Sequence, residues 1–519
     1  MLLSSCRRGL GAATVSLVLF TPAALGAHPA APQQAGQQSL PPIPVLRTQV
    51  SPAESDQTRN RAAPGVTSYP AAAAGDGATS AGYNLSRWAE DWRGYRDPAR
   101  RDDPLDRLKF LPLDDDGDIY LTLSGELRLR VNHTTNPNLR EVEAQRQDIN
   151  RIVAGADLHL GPNVRFFGEV AHGGIAGENI GAPAATLRND AIVQQAFGEV
   201  SGDVAGMQVG ARYGRQEFTD GSNLLVSQRD NNTIRYVLNG VRGWVRGARL
   251  RADLFDFELT EFGDQGFGDD PSDDDTRFSG ATLGVVAPTE WLGGSKLYFD
   301  PFVWRLHDEQ RWGDTTARER RWFTGARLWG DVGRATLDWT VNHQSGRFDN
   351  REIDAWQILA AQTYRLGAGA SAPRIGFHAD YATGGGGYDQ GTLGNATTPF
   401  GNNIYYSYQL FLTPSNLITL APNFTFAPVK GVRLTTEYQF AWRENATDAV
   451  YRANGLPFAG TELVEGSKIA ESLRLQLVWS IAPRLSFTGR YEHLDAGPVL
   501  TRAGYAGSDF VAGWVSFRF

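Results

Sequence analysis

From Ile119 to the last residue the chain alternates with period two, and this constrains its fold more than any other feature. Between Ile119 and Val131, Ile119, Leu121, Leu123, Leu127, Leu129 and Val131 share one face. Thr122, Ser124, Glu126, Arg128 and Arg130 share the other. Successive side chains of a strand point to opposite sides, so this is a strand between an apolar and a polar environment. The same alternation recurs at 432–443, 472–481 and 485–492, and similar segments begin near residues 151, 163, 192, 206, 232, 249, 278, 295, 321, 334, 354, 374, 403 and 417. Among the 519 residues, 58 Gly stand beside 26 Phe, 17 Tyr and 13 Trp, a balance that suits many strands and turns rather than a helical enzyme.

Two all-β architectures produce such a chain: a soluble sandwich or propeller, and a transmembrane antiparallel up-and-down β-barrel, apolar outside and polar inside. Three features favour the barrel. Residues 1–27 read as a secretory signal peptide, with Arg7 and Arg8 ahead of an apolar stretch from Leu10 to Phe20 and small residues at Ala24 and Gly26. The alternative, a retained anchor helix, needs a longer apolar run. The apolar faces end in aromatics (Trp244, Trp291, Trp329, Trp442, Tyr491, Trp514), as interfacial girdles do. The final stretch, Val511-x-Gly513-x-Val515-x-Phe517-x-Phe519, alternates up to a terminal Phe, the form that the barrel assembly machinery reads. Roughly 22 residues per strand and connection predict about 18 strands, with 16 as the neighbouring count.

Before the barrel the sequence divides. Residues 28–83 are rich in Pro, Ala and Gln, with too little apolar surface to offset chain entropy, and are expected to be a disordered leader. Residues 84–118 are expected to form one short helix, N-capped by Ser86, and a turn leading into the barrel at 119–519. Cys6 is the only cysteine, so cleavage of the signal leaves no disulfide, thiol nucleophile or Cys-ligated metal.

The polar faces carry the functional signal. Only four of the 50 basic residues are lysine; the rest are Arg, which bind planar anions bidentately and stay charged when partly desolvated. Strand parity directs Arg128, Arg130, Arg212, Arg235, Arg249, Arg251, Arg327, Arg433, Arg443, Arg474 and Arg490 into the lumen, because a charge on the lipid face costs about 2–4 kcal/mol at the midplane. Acids on the same faces are fewer, although the formal net charge is −8. A lumen dominated by Arg selects anions. The alternative is that Arg and acid pair across strands and only stabilise the wall. The Asp-rich stretch 264–275 lacks the spacing of a calcium loop and reads as a solvated external loop. No Gly-x-Ser-x-Gly, His-Glu-x-x-His or phosphate-loop motif occurs, and the histidines stand singly. Neither a catalytic site, a metal, a cofactor nor a nucleic-acid partner is expected.

Several stretches resemble a known family. They are Glu90-Asp91-Trp92, Asp97-Pro98, Asp106-x-Leu108-Lys109-Phe110-Leu111-Pro112-Leu113 and Tyr120-Leu121-x-Leu123-x-Gly125-Glu126-Leu127-Arg128, then Gly214-Arg215-Gln216-Glu217-Phe218-x-x-Gly221-Ser222 and Val226-Ser227-x-Arg229-x-x-Asn232-x-x-Arg235, and finally Pro414-Ser415-Asn416-Leu417-Ile418, Trp442-Arg443-Glu444 and Val515-Ser516-Phe517-Arg518-Phe519. In order and spacing they resemble the alginate export family of outer-membrane barrels, over residues 84–519. The resemblance implies an 18-stranded, electropositive, partly occluded barrel in the outer membrane of a Gram-negative bacterium, passing an alginate-like polyuronate by facilitated diffusion. It adds Arg215 and Arg229 to the expected lumen arginines. A small-anion porin is the alternative, and an outer-membrane enzyme or a non-conducting barrel a third reading. The expected partners are membrane lipid, an anionic solute and the assembly machinery; a monomer is expected.

Overall fold

The computed structural model describes residues 83–287, 297–369, 371–389, 391–453 and 455–519. The signal peptide, nearly all of the leader, and Trp291 lie outside these residues.

The sheet has 19 strands: β1 (Leu111–Pro112), β2 (Ile119–Thr134), β3 (Gln145–Leu160), β4 (Val164–Glu178), β5 (Asn189–Val204), β6 (Met207–Gln216), β7 (Leu238–Arg246), β8 (Leu250–Thr260), β9 (Ser272–Val286), β10 (Leu297–Trp312), β11 (Thr315–Val332), β12 (Ala335–Phe348), β13 (Arg351–Arg365), β14 (Arg374–Ala382), β15 (Leu417–Phe426), β16 (Val432–Trp442), β17 (Lys468–Ala482), β18 (Leu485–Ala496) and β19 (Ser508–Arg518). From β2 onward each pairs antiparallel with the next. β19 then closes on β2, with Phe510 opposite Thr134 and Arg518 opposite Glu126. The result is a closed 18-stranded barrel, while β1 is a two-residue pairing against Tyr120 and Leu121. Closure leaves no open edge, as a spanning sheet requires. The segments expected near 232 and 403 are not strands there: β7 begins at Leu238, and Asn403–Tyr405 is a 3-10 turn. Both belong to connections that fold into the barrel, where buried apolar residues mimic a strand's composition.

The two barrel ends differ. One has tight turns, such as Ala205–Gly206 between β5 and β6, where both residues have positive φ (52° and 78°). That is the geometry whose twist matches a two-residue hairpin. The other carries the long connections 217–237, 383–416 and 443–467. The Asp-rich stretch is divided: Asp273, Asp274 and Asp275 sit on β9, while Asp269 and Asp270 brace the preceding turn by accepting from the backbone N–H of Gln265 and Gly263.

The outward face is apolar: Leu127, Leu129, Val131, Trp322, Trp339, Trp356 and Trp479 are exposed on it. Trp244, Trp329 and Trp514, expected in the girdle, are instead buried and face inward. They share parity with inward polar residues, and the indole of Trp329 donates to Asp300 (2.9 Å). Nor is the inner wall uniformly polar. Phe255 and Phe257 of β8, Phe278 of β9, Phe302 and Trp304 of β10 and Phe323 of β11 point inward and pack with Phe218, Leu224, Leu225, Val226 and Phe400 of the inward connections. Burying each such ring gains about 1.5–3 kcal/mol. This cluster therefore anchors the root of 217–237 against the wall.

Residues 84–110 form four successive 3-10 turns rather than one helix: Arg87–Ala89, Arg93–Arg96, Pro98–Arg100 and Pro104–Lys109. Pro98 and Pro104 each start a turn, and Asp97 and Asp103 cap them by accepting from Ala99 and Leu105. Ser86 makes no capping bond. The segment lies at the tight-turn end, held by Arg484 on Asp106 and Asp103 (2.5 Å each).

Candidate functional site

Five inward guanidinium groups converge on two residues of the connection 217–237. Arg128 and Arg130 project from β2, Arg151 from β3 and Arg490 from β18; Arg235 belongs to the connection itself. The carboxylate of Asp230 accepts from Arg128 Nη2 (3.0 Å), Arg151 Nη2 (2.8 Å) and Arg235 Nε (2.9 Å). The next residue, Asn231, presents its side-chain oxygen to both Arg130 Nη1 (3.1 Å) and Arg490 Nη1 (2.7 Å). Trp514 forms a wall shared by Arg130 and Arg490, whose guanidinium carbons lie 5.0 and 4.9 Å from its ring centre, and Tyr408 sits 4.8 Å from Arg490. All five arginines are buried.

Charge compensation in this cup is uneven. Burial alone would raise the Asp230 carboxyl, but the charges of Arg128, Arg235 and Arg151 overcome it and hold the group well below the ordinary carboxylate range. Glu126, on β2 below the cup, accepts from Arg151 (3.1 Å) and forms ion pairs with Arg128 (3.1 Å), Arg518 (3.3 Å) and Arg87. Arg130 and Arg490, by contrast, form no ion pair among the described residues. Arg490 Nη2 is buried without a hydrogen-bond partner. These two cations rest on neutral amide oxygens and aromatic faces.

The remaining expected arginines are placed as follows. Arg212 pairs with Glu199 (2.6 Å) and lies 3.8 Å from the ring centre of Trp88. Arg251 is held by Asp220 (2.8 Å) and Asp253 (2.9 Å), and Arg327 by Asp338 (2.9 Å). Arg474 pairs with Glu437 and donates to the backbone oxygen of Tyr405 (2.5 Å). Arg433 is half-buried on the inward face of β16. Arg443 follows β16 and donates to the backbone carbonyls of Gly466, Asp448, Thr461 and Val464, fastening the connection 443–467. Arg229 lies in the inward connection 4.3 Å from the Tyr236 ring centre.

Two placements are corrected. Arg249 is exposed in the tight turn between β7 and β8, where alternation has ended. Arg215 shares the outward parity of the 75% exposed Tyr213 and bonds Asn239 (2.9 Å) and the carbonyl of Val193 (3.0 Å). The motif brought it into the expected set without a parity test. The residues that sequence reasoning missed are Asp230 and Asn231, the two unspecified positions between Arg229 and Asn232, and Arg87. Loop residues have no parity, so only an acid and an amide beside motif arginines marked them.

The segment 84–88 reaches the same network from the other end. Arg87 pairs with Glu169 (2.9 Å) and Glu126; burial opposes its charge, but those two carboxylates raise its pKa above the ordinary value. Ser86 donates to Glu217 (2.6 Å), Arg235 donates to the Leu85 carbonyl (2.8 Å), and Arg518 to the Asn84 carbonyl (3.0 Å).

A family model described as alginate export matches residues 119–513. No curated protein sequence matches the chain. Among solved structures the chain is similar to OccAB1 of Acinetobacter baumannii, with 11% identity over 80% of this chain and 99% of that one and a TM-score of 0.53. It is also similar to OpdQ of Pseudomonas aeruginosa (9% identity, 77% and 97% covered, TM-score 0.51). A third likeness is to OccK2 (OpdF) of Pseudomonas aeruginosa in complex with glucuronate (13% identity, 79% and 98% covered, TM-score 0.50). At these identities the likeness is one of fold.

Proposed function

The chain belongs to the alginate export family and is an outer-membrane barrel with a porin-like fold, and from that premise we propose that its channel passes acidic polysaccharide or oligosaccharide, of the polyuronate type, along lumen arginines. The observation that carries this reading is the bridge made by Asn231. One neutral oxygen serves two guanidinium groups that have no carboxylate partner. A carboxylate gives each a charge-assisted bond, roughly twice as strong as a neutral one, in the same planar geometry. The aromatic faces of Trp514 and Tyr408 beside them suit the apolar face of a sugar ring. Arg327 on β11 and Arg433 on β16 add further stations along the lumen. Many weak sites let a polyanion advance without being trapped. OccK2, of similar fold, has been crystallised with glucuronate, a single uronate unit. The protein works as a monomer, without a catalytic group, and its last strand is the part that the assembly machinery reads.

The test is conductance of the purified protein in a planar bilayer. Anion-directed reversal potential in a salt gradient, with block by added polyuronate, is expected. Anion selectivity without block favours a small-anion porin; cation selectivity overturns the reading.

A further inference from the structure

The charged contacts of the lumen close into a ring. Arg87 pairs with Glu126, Glu126 with Arg151, Arg151 with Asp230, Asp230 with Arg235 and Arg235 with Glu217, which accepts from Ser86, the neighbour of Arg87. Each of these residues is at least nine-tenths buried. The ring joins two pieces of chain entering from opposite ends: the segment 84–88 from the tight-turn end and the connection 217–237 from the long-loop end. We propose that the tip Asp230–Asn231 is a built-in occupant of a carboxylate-binding cup formed by Arg128, Arg130, Arg151, Arg235 and Arg490, and that it latches the segment 84–88 in place, so that a solute carboxylate taking the tip's position releases both.

Three features support the latch. The tip offers one carboxylate and one amide oxygen to five guanidinium groups, so an acidic sugar finds every donor already aimed. The root of the connection is anchored by Phe218, Leu224 and Leu225 in the aromatic cluster, so the tip can leave while the root stays. Arg235 is shared: it holds Asp230 on one side and the Leu85 carbonyl and Glu217 on the other. Arg235 lies five residues from Asp230 on the same connection, so when the tip withdraws Arg235 is drawn with it and gives up the Leu85 carbonyl. In a buried network the loss of one partner propagates, because the remaining charges are desolvated and uncompensated.

The displacement step rests on the acidic-solute reading; the latch does not. With Cys6 replaced by serine, S86C reports release of the segment through its rate of labelling by a water-soluble maleimide in the full-length protein. D230N removes the tip's charge and keeps its shape. Labelling and bilayer conductance are both expected to rise, on the order of tenfold or more, without solute. Unchanged labelling in folded D230N overturns the latch. Should D230N fail to fold, D230E in the S86C protein takes its place: the charge stays but the longer side chain moves the carboxylate off Arg235, so labelling is again expected to rise, and unchanged labelling overturns the latch. Glucuronate and polyuronate are then added to the S86C protein with Asp230 intact. Faster labelling supports displacement. Release in D230N with no faster labelling in either uronate overturns displacement and leaves the latch standing; polyuronate block of the same protein in a bilayer then keeps the acidic-solute reading, and absence of block overturns that reading too.

Discussion

Glu126 faces four guanidinium groups, those of Arg87, Arg128, Arg151 and Arg518, from a fully buried position. Glu126→Gln keeps its shape but leaves those guanidinium groups under-compensated. Breaking a buried ion pair from one side typically costs about 3–5 kcal/mol. The variant is expected to unfold at lower urea concentration than the parent protein and to expose the segment 84–88 to protease first. Arg490→Gln has a different expected outcome. Its guanidinium faces amide oxygens and rings rather than acids, so the substitution strands no carboxylate. It lowers anion selectivity, read as a reversal potential shifted toward zero in a salt gradient, with stability nearly unchanged. These inward placements were legible because a period of two has only one alternative register. Arg128 and Arg130 follow from Glu126, and Arg490 follows from Glu492. The rule failed for Trp244, Trp329 and Trp514, where residue type was allowed to override parity. It had nothing to say about Asp230 and Asn231, whose position is set by a connection folding back through the lumen.

At the scale of elements, the strands were legible and the inward connections were not, for one physical reason. A strand's two faces see two solvents, whereas a connection packed in the lumen sees protein on every side. Residues 403–405 and 232–237 thus look like strand and are loop. The segment 84–110 shows a related limit. Asp-Pro pairs at 97–98 and 103–104 restart the chain every few residues, giving 3-10 turns where an N-cap at Ser86 suggested one helix. That segment also carries a pH-dependent term. Lys109 Nζ is buried between the rings of Tyr83 and Trp92, 3.6 Å from Glu90. Burial brings its pKa down from 10.5 to about 8, against the opposing pull of Glu90. Released into water, Lys109 returns to its ordinary value. Between about pH 8 and 10.5 the released state therefore binds a proton that the docked state does not, so docking strengthens as pH rises through that window. Tryptic cleavage after Arg93, Arg96 or Arg100, normalised to a free peptide, is expected to slow from pH 8 to pH 10, and Lys109→Met is expected to flatten the dependence.

At the scale of the whole molecule, strand-number arithmetic reached the observed barrel because 18 strands and their connections must share a fixed length of chain. It did not reveal that the lumen is filled asymmetrically. On the inner faces of β2 and β3 and of the long-loop end, side chains are buried beneath 217–237, 383–416 and 443–467. At the tight-turn end of β11 to β16, by contrast, Arg327, Asp338, Arg365, Arg374, Asn423 and Arg433 stay partly exposed. Tight turns face the periplasm and long loops the exterior in barrels of this class, so the accessible arginines form a basic vestibule open to the periplasm in a protein whose formal net charge is −8. Such a patch concentrates a polyanion before it enters. Polyuronate added to the periplasmic side of a single oriented channel is therefore expected to interrupt the current at lower concentration than polyuronate added outside. The asymmetry should shrink when Arg374 and Arg433 are both replaced by Gln. It should also fade as salt rises from 0.1 to 1 M, because the screening length falls from about 10 Å to about 3 Å, below the spacing over which several guanidinium groups act on one polymer. Equal block from both sides at low salt would mean that the vestibule does not collect the solute, and would leave the cup around Asp230 and Asn231 as the station where selectivity is set.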